Sequence, residues 1–114
     1  MTLEPESQPL ARDGGGVRLS AAEVAAINSA ARAAFGDSVV VRLFGSRVHA
    51  HLRGGDIDLH FEVDPGRGSD AEVGDFEDLL FREIDEQRVD KVFSVRGEPR
   101  SPFEQIAYRD GVIL

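Results

Sequence analysis

The residues of this chain that could do chemistry are carboxylates. From Asp56 onward, Asp56, Asp58, His60 and Glu62 alternate with Ile57, Leu59, Phe61 and Val63, the period of two of a half-buried β-strand. The two aspartates then share a face. At a rise of about 3.3 Å per residue, side chains at i and i+2 leave the backbone roughly 6.6 Å apart. Their carboxylates can converge on divalent ions held about 3.5 to 4 Å apart, the spacing of a two-metal phosphoryl-transfer site. Like charges so close repel unless cations lie between them. Alternating acids alone are the ordinary solvated face of an edge strand, so the pattern needs a second element.

That element is Gly45-Ser46, which follows the apolar run Val39, Val40, Val41, Leu43, Phe44 and is separated from Asp56 by nine residues. Glycine lets a backbone approach a ligand closely. Serine offers a hydroxyl and an N–H to phosphate oxygens, and a short helix over Arg47 to Leu52 would add its free N–H groups. If that helix begins at Ser46, one strand would end in a phosphate cradle and the next would begin with metal ligands. Arg47 suits phosphate neutralisation and fits a plain surface position equally well.

A third acid lies further on. Asp90 interrupts Val89, Val92, Phe93 and Val95 in a strand expected over Arg88 to Val95, and a carboxylate in mid-strand is costly unless ions or hydrogen bonds compensate it. Lys91 should point to the opposite face. His49, His51 and His60 are not expected to bind metal. The first two fall on the expected short helix, where i and i+2 do not face each other, and His60 is expected to be a surface or hydrogen-bonded residue.

Gly45-Ser46, the spacer, Asp56-Ile57-Asp58 and the later Val89-Asp90-Lys91-Val92 together resemble the nucleotidyltransferase superfamily of the DNA polymerase β-like enzymes. Within it, the chain from Ser20 onward looks like the minimal nucleotidyltransferases, small antitoxins usually paired with a HEPN-domain toxin. It departs from that family's pattern in two places: Arg47-Val48-His49-Ala50 stands where Arg-Ala-Arg-Gly is usual, and Gly55 replaces a serine.

The resemblance implies two Mg²⁺ ions held by Asp56, Asp58 and Asp90, with Asp90 also accepting a proton. It implies phosphate binding by Gly45, Ser46 and Arg47, and ATP as donor. The implied reaction is transfer of AMP to a tyrosine or other hydroxyl of a cognate HEPN ribonuclease. Two alternatives stand beside it: an antitoxin that inhibits by binding alone, and a nucleotidyltransferase for a small molecule such as an aminoglycoside. The second is disfavoured because such enzymes usually carry an additional acceptor-binding domain.

The elements that must position these residues are legible in order. Residues 1–16 contain Pro5, Pro9 and Gly14-Gly15-Gly16 and are expected to be a mobile tail; residues 17–114 are expected to form a single domain. Ser20 and Glu23 make a capping box before an alanine-rich helix over Ala21 to Phe35 that stops at Gly36. Ser38 to Phe44 reads as a strand covered on both faces, with Arg42 snorkelling or pairing an acid. Asp64 to Ala71 reads as a loop, and Val73 to Gln87 as an amphipathic helix carrying Phe76, Leu79, Leu80 and Ile84. Ser101-Pro102-Phe103-Glu104 is a second capping box with proline at the first helical position. Val112 to Leu114 is an apolar end able to dock. The order α-β-α-β-α-β-α implies an α/β (α+β) domain with a small mixed sheet flanked by helices.

With 114 residues, 13 basic and 21 acidic side chains give a formal charge of −8, which repels a polyanionic backbone and disfavours nucleic acid as a stable partner. Absence of cysteine excludes disulfides and thiolate metal sites. No run of about 18 apolar residues and no basic-plus-apolar leader is present, so the expectation is a soluble cytoplasmic protein.

Overall fold

The structure is a computed structural model that describes residues 8–9, 19–45 and 56–114. Its elements are β1 (Gln8–Pro9), α1 (Ala21–Phe35), β2 (Val40–Phe44), β3 (Ile57–Val63), α2 (Asp70–Leu80), β4 (Val89–Val95), α3 (Pro102–Asp110) and β5 (Val112–Ile113). The strands form one mixed sheet in the order β1-β5-β2-β3-β4. β2 runs antiparallel to β3 and β5, whereas β3 and β4 are parallel and joined by the α2 crossover. The mixed α/β architecture expected from the sequence is therefore present. The helix expected over Arg47 to Leu52 lies outside the described residues. Gln8–Pro9, within the stretch expected to be a tail, pairs in parallel with Val112–Ile113, and proline is tolerated there because an edge strand need not donate on its outer side.

Alternation divides the sheet into two faces. Ile57, Leu59, Phe61 and Val63 are fully buried and join Val41, Leu43 and the alanine face of α1 in one core with Phe76 and Leu80 of α2. Small side chains on α1 let it pack closely, as its composition suggested. The centre of this core is aromatic: Phe35, Phe61, Phe76 and Phe93 meet with ring centroids 5.0 to 5.7 Å apart, in the tilted and offset arrangements that ring quadrupoles favour. The other face is covered by α3, which packs on β2 and β4. Among the described residues, no helix is long and apolar enough to cross a membrane.

Both expected capping boxes form. Ser20 accepts from the Glu23 N–H at 3.1 Å while the Glu23 carboxylate receives the Ser20 N–H at 2.9 Å, and Ser101 and Glu104 repeat this at 3.1 and 2.8 Å. α2 departs from expectation at both ends. It begins at Asp70 because Ser69 caps the Glu72 N–H at 3.2 Å, the start signal lying ahead of the apolar periodicity at Val73. Glu72 does not close the box, because its carboxylate is taken by the Gly68 N–H and the Arg67 guanidinium, both at 2.7 Å. The helix ends at Leu80 rather than Gln87. No basic residue lies in its last turn, and Glu83, Asp85 and Glu86 beyond it oppose the negative end of the helix dipole. Ile84 still packs against the core.

Candidate carboxylate site

β3 and β4 are held in a register that sets Asp58 opposite Asp90. β2, on the other side of β3, sets Phe44 opposite Asp58. Opposed residues share a face, so Phe44, Asp58 and Asp90 form a row across three strands on the α3 side of the sheet. Asp56 stands just before β3, where the Ile57 N–H bonds the Arg88 carbonyl at 3.2 Å and ties the beginnings of the two parallel strands together.

Gly45 ends β2 directly after this row, with φ of +78°. A Cβ at this position would run into Oδ2 of Asp58. The Gly45 backbone, expected from the sequence to approach a ligand, approaches in the structure the central carboxylate of the row. Ser46 and Arg47, the other two expected phosphate contacts, lie outside the described residues, as do His49 and His51.

The acids are partly compensated by a side chain of the domain itself. Arg88 Nε lies 3.2 Å from Asp90 Oδ1 and 3.6 Å from Asp56 Oδ2. All three groups face water, with side chains 73%, 43% and 45% exposed for Arg88, Asp90 and Asp56. Asp90 is therefore not the buried mid-strand carboxylate expected from the sequence: it is the second residue of β4, at the open end of the sheet. Asp58 is the more enclosed acid. Its carboxyl is pushed above the usual range, first by burial, then by the charge of Asp90 and a hydrogen bond with it, and by the charge of Asp56, with Arg88 opposing.

Three carboxylates at the beginnings of two neighbouring strands are the donor set of a hard divalent cation, and the Gly45 backbone lies directly against the central one. The chemistry of the residues fits such an ion. Among the described residues, however, no three such side chains are already gathered closely enough to hold one. Arg88 draws Asp56 and Asp90 to itself instead.

Behind the acids, the same face carries a polar layer that alternation alone did not reveal. His60 is fully buried, packs edge-on against Tyr108 of α3 with ring centroids 4.6 Å apart, and lies 2.8 Å from Ser94 Oγ through Nε2. Ser94 donates to Glu104 at 2.6 Å. Its single proton being so used, Ser94 must accept from His60 Nε2–H, which leaves Nδ1 bare and without a partner. Burial, followed by the nearby Arg42 charge, holds His60 down at about 4. The expectation of a hydrogen-bonded histidine is met.

Arg42, on an interior strand and buried, pairs with Glu62 at 3.2 Å. Glu62 also takes Arg96 at 2.8 Å, and Arg96 continues to Asp64 at 2.8 Å and to the Ser38 carbonyl. Burial raises the Glu62 pKa, but hydrogen bonds from Tyr108, Arg42 and Arg96 outweigh it and the carboxyl stays below its ordinary range. On the opposite face, Lys91 reaches Glu77 of α2 at 3.6 Å, as alternation required.

Two surface concavities lie away from the acids. One, of about 450 Å³, runs between α1 and α2 past Ala26, Ala30 and Leu79; the other, of about 360 Å³, surrounds Phe81 with Glu77, Asp78 and Glu86. Neither of these two is lined by a residue of the carboxylate row, and the perturbed titration of Asp58 marks the acids as the candidate site. Comparison with family models, curated proteins and solved structures gives no match.

Proposed function

We propose that this chain is a divalent-metal-dependent nucleotidyltransferase that moves AMP from ATP to a hydroxyl, most simply a tyrosine, of a partner protein. In keeping with the family its motifs resemble, that partner is a HEPN-type ribonuclease toxin which the transfer silences. The observation that carries the reading is the row in which Asp58 and Asp90 stand opposed under the Gly45 backbone.

In this reading Asp56, Asp58 and Asp90 hold Mg²⁺. The bound ion supplies charge neutralisation of the phosphates and a lower pKa for the attacking hydroxyl. Gly45, with Ser46 and Arg47 beyond it, orients the β- and γ-phosphates so that the α-phosphorus faces the acceptor. Asp90, exposed at the outer end of the row, takes the hydroxyl proton. The acceptor oxygen bonds the α-phosphorus, the bond from that phosphorus to the bridging oxygen breaks, and pyrophosphate leaves with the electron pair.

The test is mass spectrometry of the protein encoded beside this one after incubation with the chain, ATP and Mg²⁺. Addition of one or more AMP units, abolished by Asp56→Asn with Asp58→Asn, supports transfer. A second reading, an antitoxin that acts by binding alone, is favoured by Arg88 already bridging Asp56 and Asp90. Inhibition of the neighbour with no mass change, retained in the double variant, would establish it in place of the first.

A further inference from the structure

We propose that Phe103 is the platform on which the base of the donor nucleotide stacks. The inference rests on the nucleotidyl-transfer reading and deepens it, because the motif residues address only phosphates and metal and leave the base without a contact.

Phe103 is 55% exposed and, with Ile106, is one of two large hydrophobic residues exposed among those described. Its neighbours on α3, Ala107 and Tyr108, are buried against the sheet, so the helix does not lack a packed face and Phe103 is surplus to it. Its position is rigid. Pro102 occupies the first turn, Ser101 and Glu104 close a capping box, and Glu104 is tied to Ser94 of β4 at 2.6 Å. A rigid aromatic on a fixed backbone loses little entropy on binding a flat ligand.

Its location is what assigns the ligand. Phe103 meets Phe44 edge to face, with ring centroids 5.9 Å apart and planes at 80°. Phe44 is itself buried, is the register partner of Asp58, and precedes Gly45. Across the sheet the order is therefore Phe44, Asp58, Asp90, and the exposed ring flanks the Gly45 side of the acids. That is the side of Gly45, a proposed phosphate contact, whereas the proposed proton acceptor, Asp90, is on the other. An apolar plane beside the donor's phosphates and away from the acceptor's base fits the base of the donor better than a side chain of the acceptor. Stacking on an aromatic face is tolerant of base identity and is substantial.

Binding of ATP and of inorganic tripolyphosphate, each with Mg²⁺, to the full chain by calorimetry tests this. The wild type should bind ATP about tenfold or more tighter than tripolyphosphate, as one base stacked on one ring provides. Phe103→Ala should lose that difference while keeping the tripolyphosphate affinity. Phe103→Trp should preserve it, and Phe103→Leu, which keeps an apolar side chain without an aromatic face, should lose most of it. The proposal is overturned if Phe103→Ala binds ATP as the wild type does, including the case in which only affinity for the partner protein falls. It is also overturned if both ligands weaken equally. Equal binding of ATP and tripolyphosphate by the wild type removes the platform and leaves phosphate binding standing, whereas binding of neither removes the nucleotidyl-transfer reading with it.

Discussion

Asp58 and Asp90 face each other across adjacent parallel strands, and their proximity, added to the burial of Asp58, raises the pKa of the Asp58 carboxyl. The folded state thus holds an acid it would rather see protonated or screened. Such an arrangement costs stability in the absence of a cation and stores affinity for one.

The sign follows from linkage. Because the folded pKa of Asp58 lies above the unfolded value, its cost is full above the folded pKa, shrinks as pH falls, and is gone below the unfolded value near 3.8. Asp58→Asn should therefore raise the melting temperature at pH 7 in chelator, with the gain vanishing as pH approaches 3.8. Added Mg²⁺ should stabilise the wild type and not the variant. Calorimetric melts at several pH values, with and without Mg²⁺, check both halves.

Gly45→Ala introduces two penalties, a left-handed φ and a collision with the Asp58 carboxylate. A loss of about 1 to 3 kcal/mol is expected from the backbone alone. Asp58→Ala in the same chain should relieve the collision and leave the backbone cost, so the two substitutions should be clearly non-additive in a denaturant double-mutant cycle.

Arg88 competes with any cation for Asp56 and Asp90. Arg88→Ala should leave the urea midpoint nearly unchanged, since the pairs are exposed and screened by water. It should tighten Mg²⁺ binding, measured by titration at fixed ionic strength. Weaker Mg²⁺ binding would mean that Arg88 orders the acids for the ion instead of displacing it.

His60 makes the domain sensitive to mild acid. Its pKa is depressed to about 4 from the ordinary 6.5, so the unfolded chain takes up a proton first and stability falls as pH drops from 6.5 toward 4. The slope should approach about 1.4 kcal/mol per pH unit inside that window. Arg42 adds to the depression, while Glu62 and Glu104 oppose it; the depressed pKa values of these two acids add their own losses only below their ordinary value of 4.5. His60→Gln should flatten the slope between pH 6.5 and 4.5 in urea melts, whatever its effect on absolute stability.

The aromatic centre should carry much of the fold. Phe61→Ala removes a fully buried ring that touches Phe35, Phe76 and Phe93, and a loss of about 3 to 5 kcal/mol is expected. For a domain of this size that is a large part of the total, and the urea midpoint should shift accordingly.

Much of the fold was legible because its signals are local. The alternation from Ile57 to Val63, both capping boxes and the alanine face of α1 need only neighbours in sequence, and each appears as read. The early start of α2 at Asp70 was equally local, in Ser69 and Glu72, and went unread because the apolar periodicity begins only at Val73. The polar layer of His60, Ser94, Glu104, Arg42 and Glu62 was not legible. Arg42, His60 and Ser94 are buried on the face that α3 covers, α3 itself carries Glu104, and nothing within a strand's own sequence states which helix will cover its second face.

The sequence by itself determined which residue types are present and which side of its own element each occupies: Asp56 and Asp58 together on one strand face, Asp90 opposite in sense to Lys91, glycine at the end of β2. Tertiary structure alone decided that Asp90 stands opposite Asp58, that the Gly45 backbone lies against that carboxylate, that Arg88 reaches two of the three acids, and that Phe103 packs on Phe44, the register partner of Asp58. The physical reason is that side-chain direction within a strand follows from backbone geometry over a few residues. Register between strands is set by the packing of a distant core, in which a slip of one residue would turn every one of these groups to the other face.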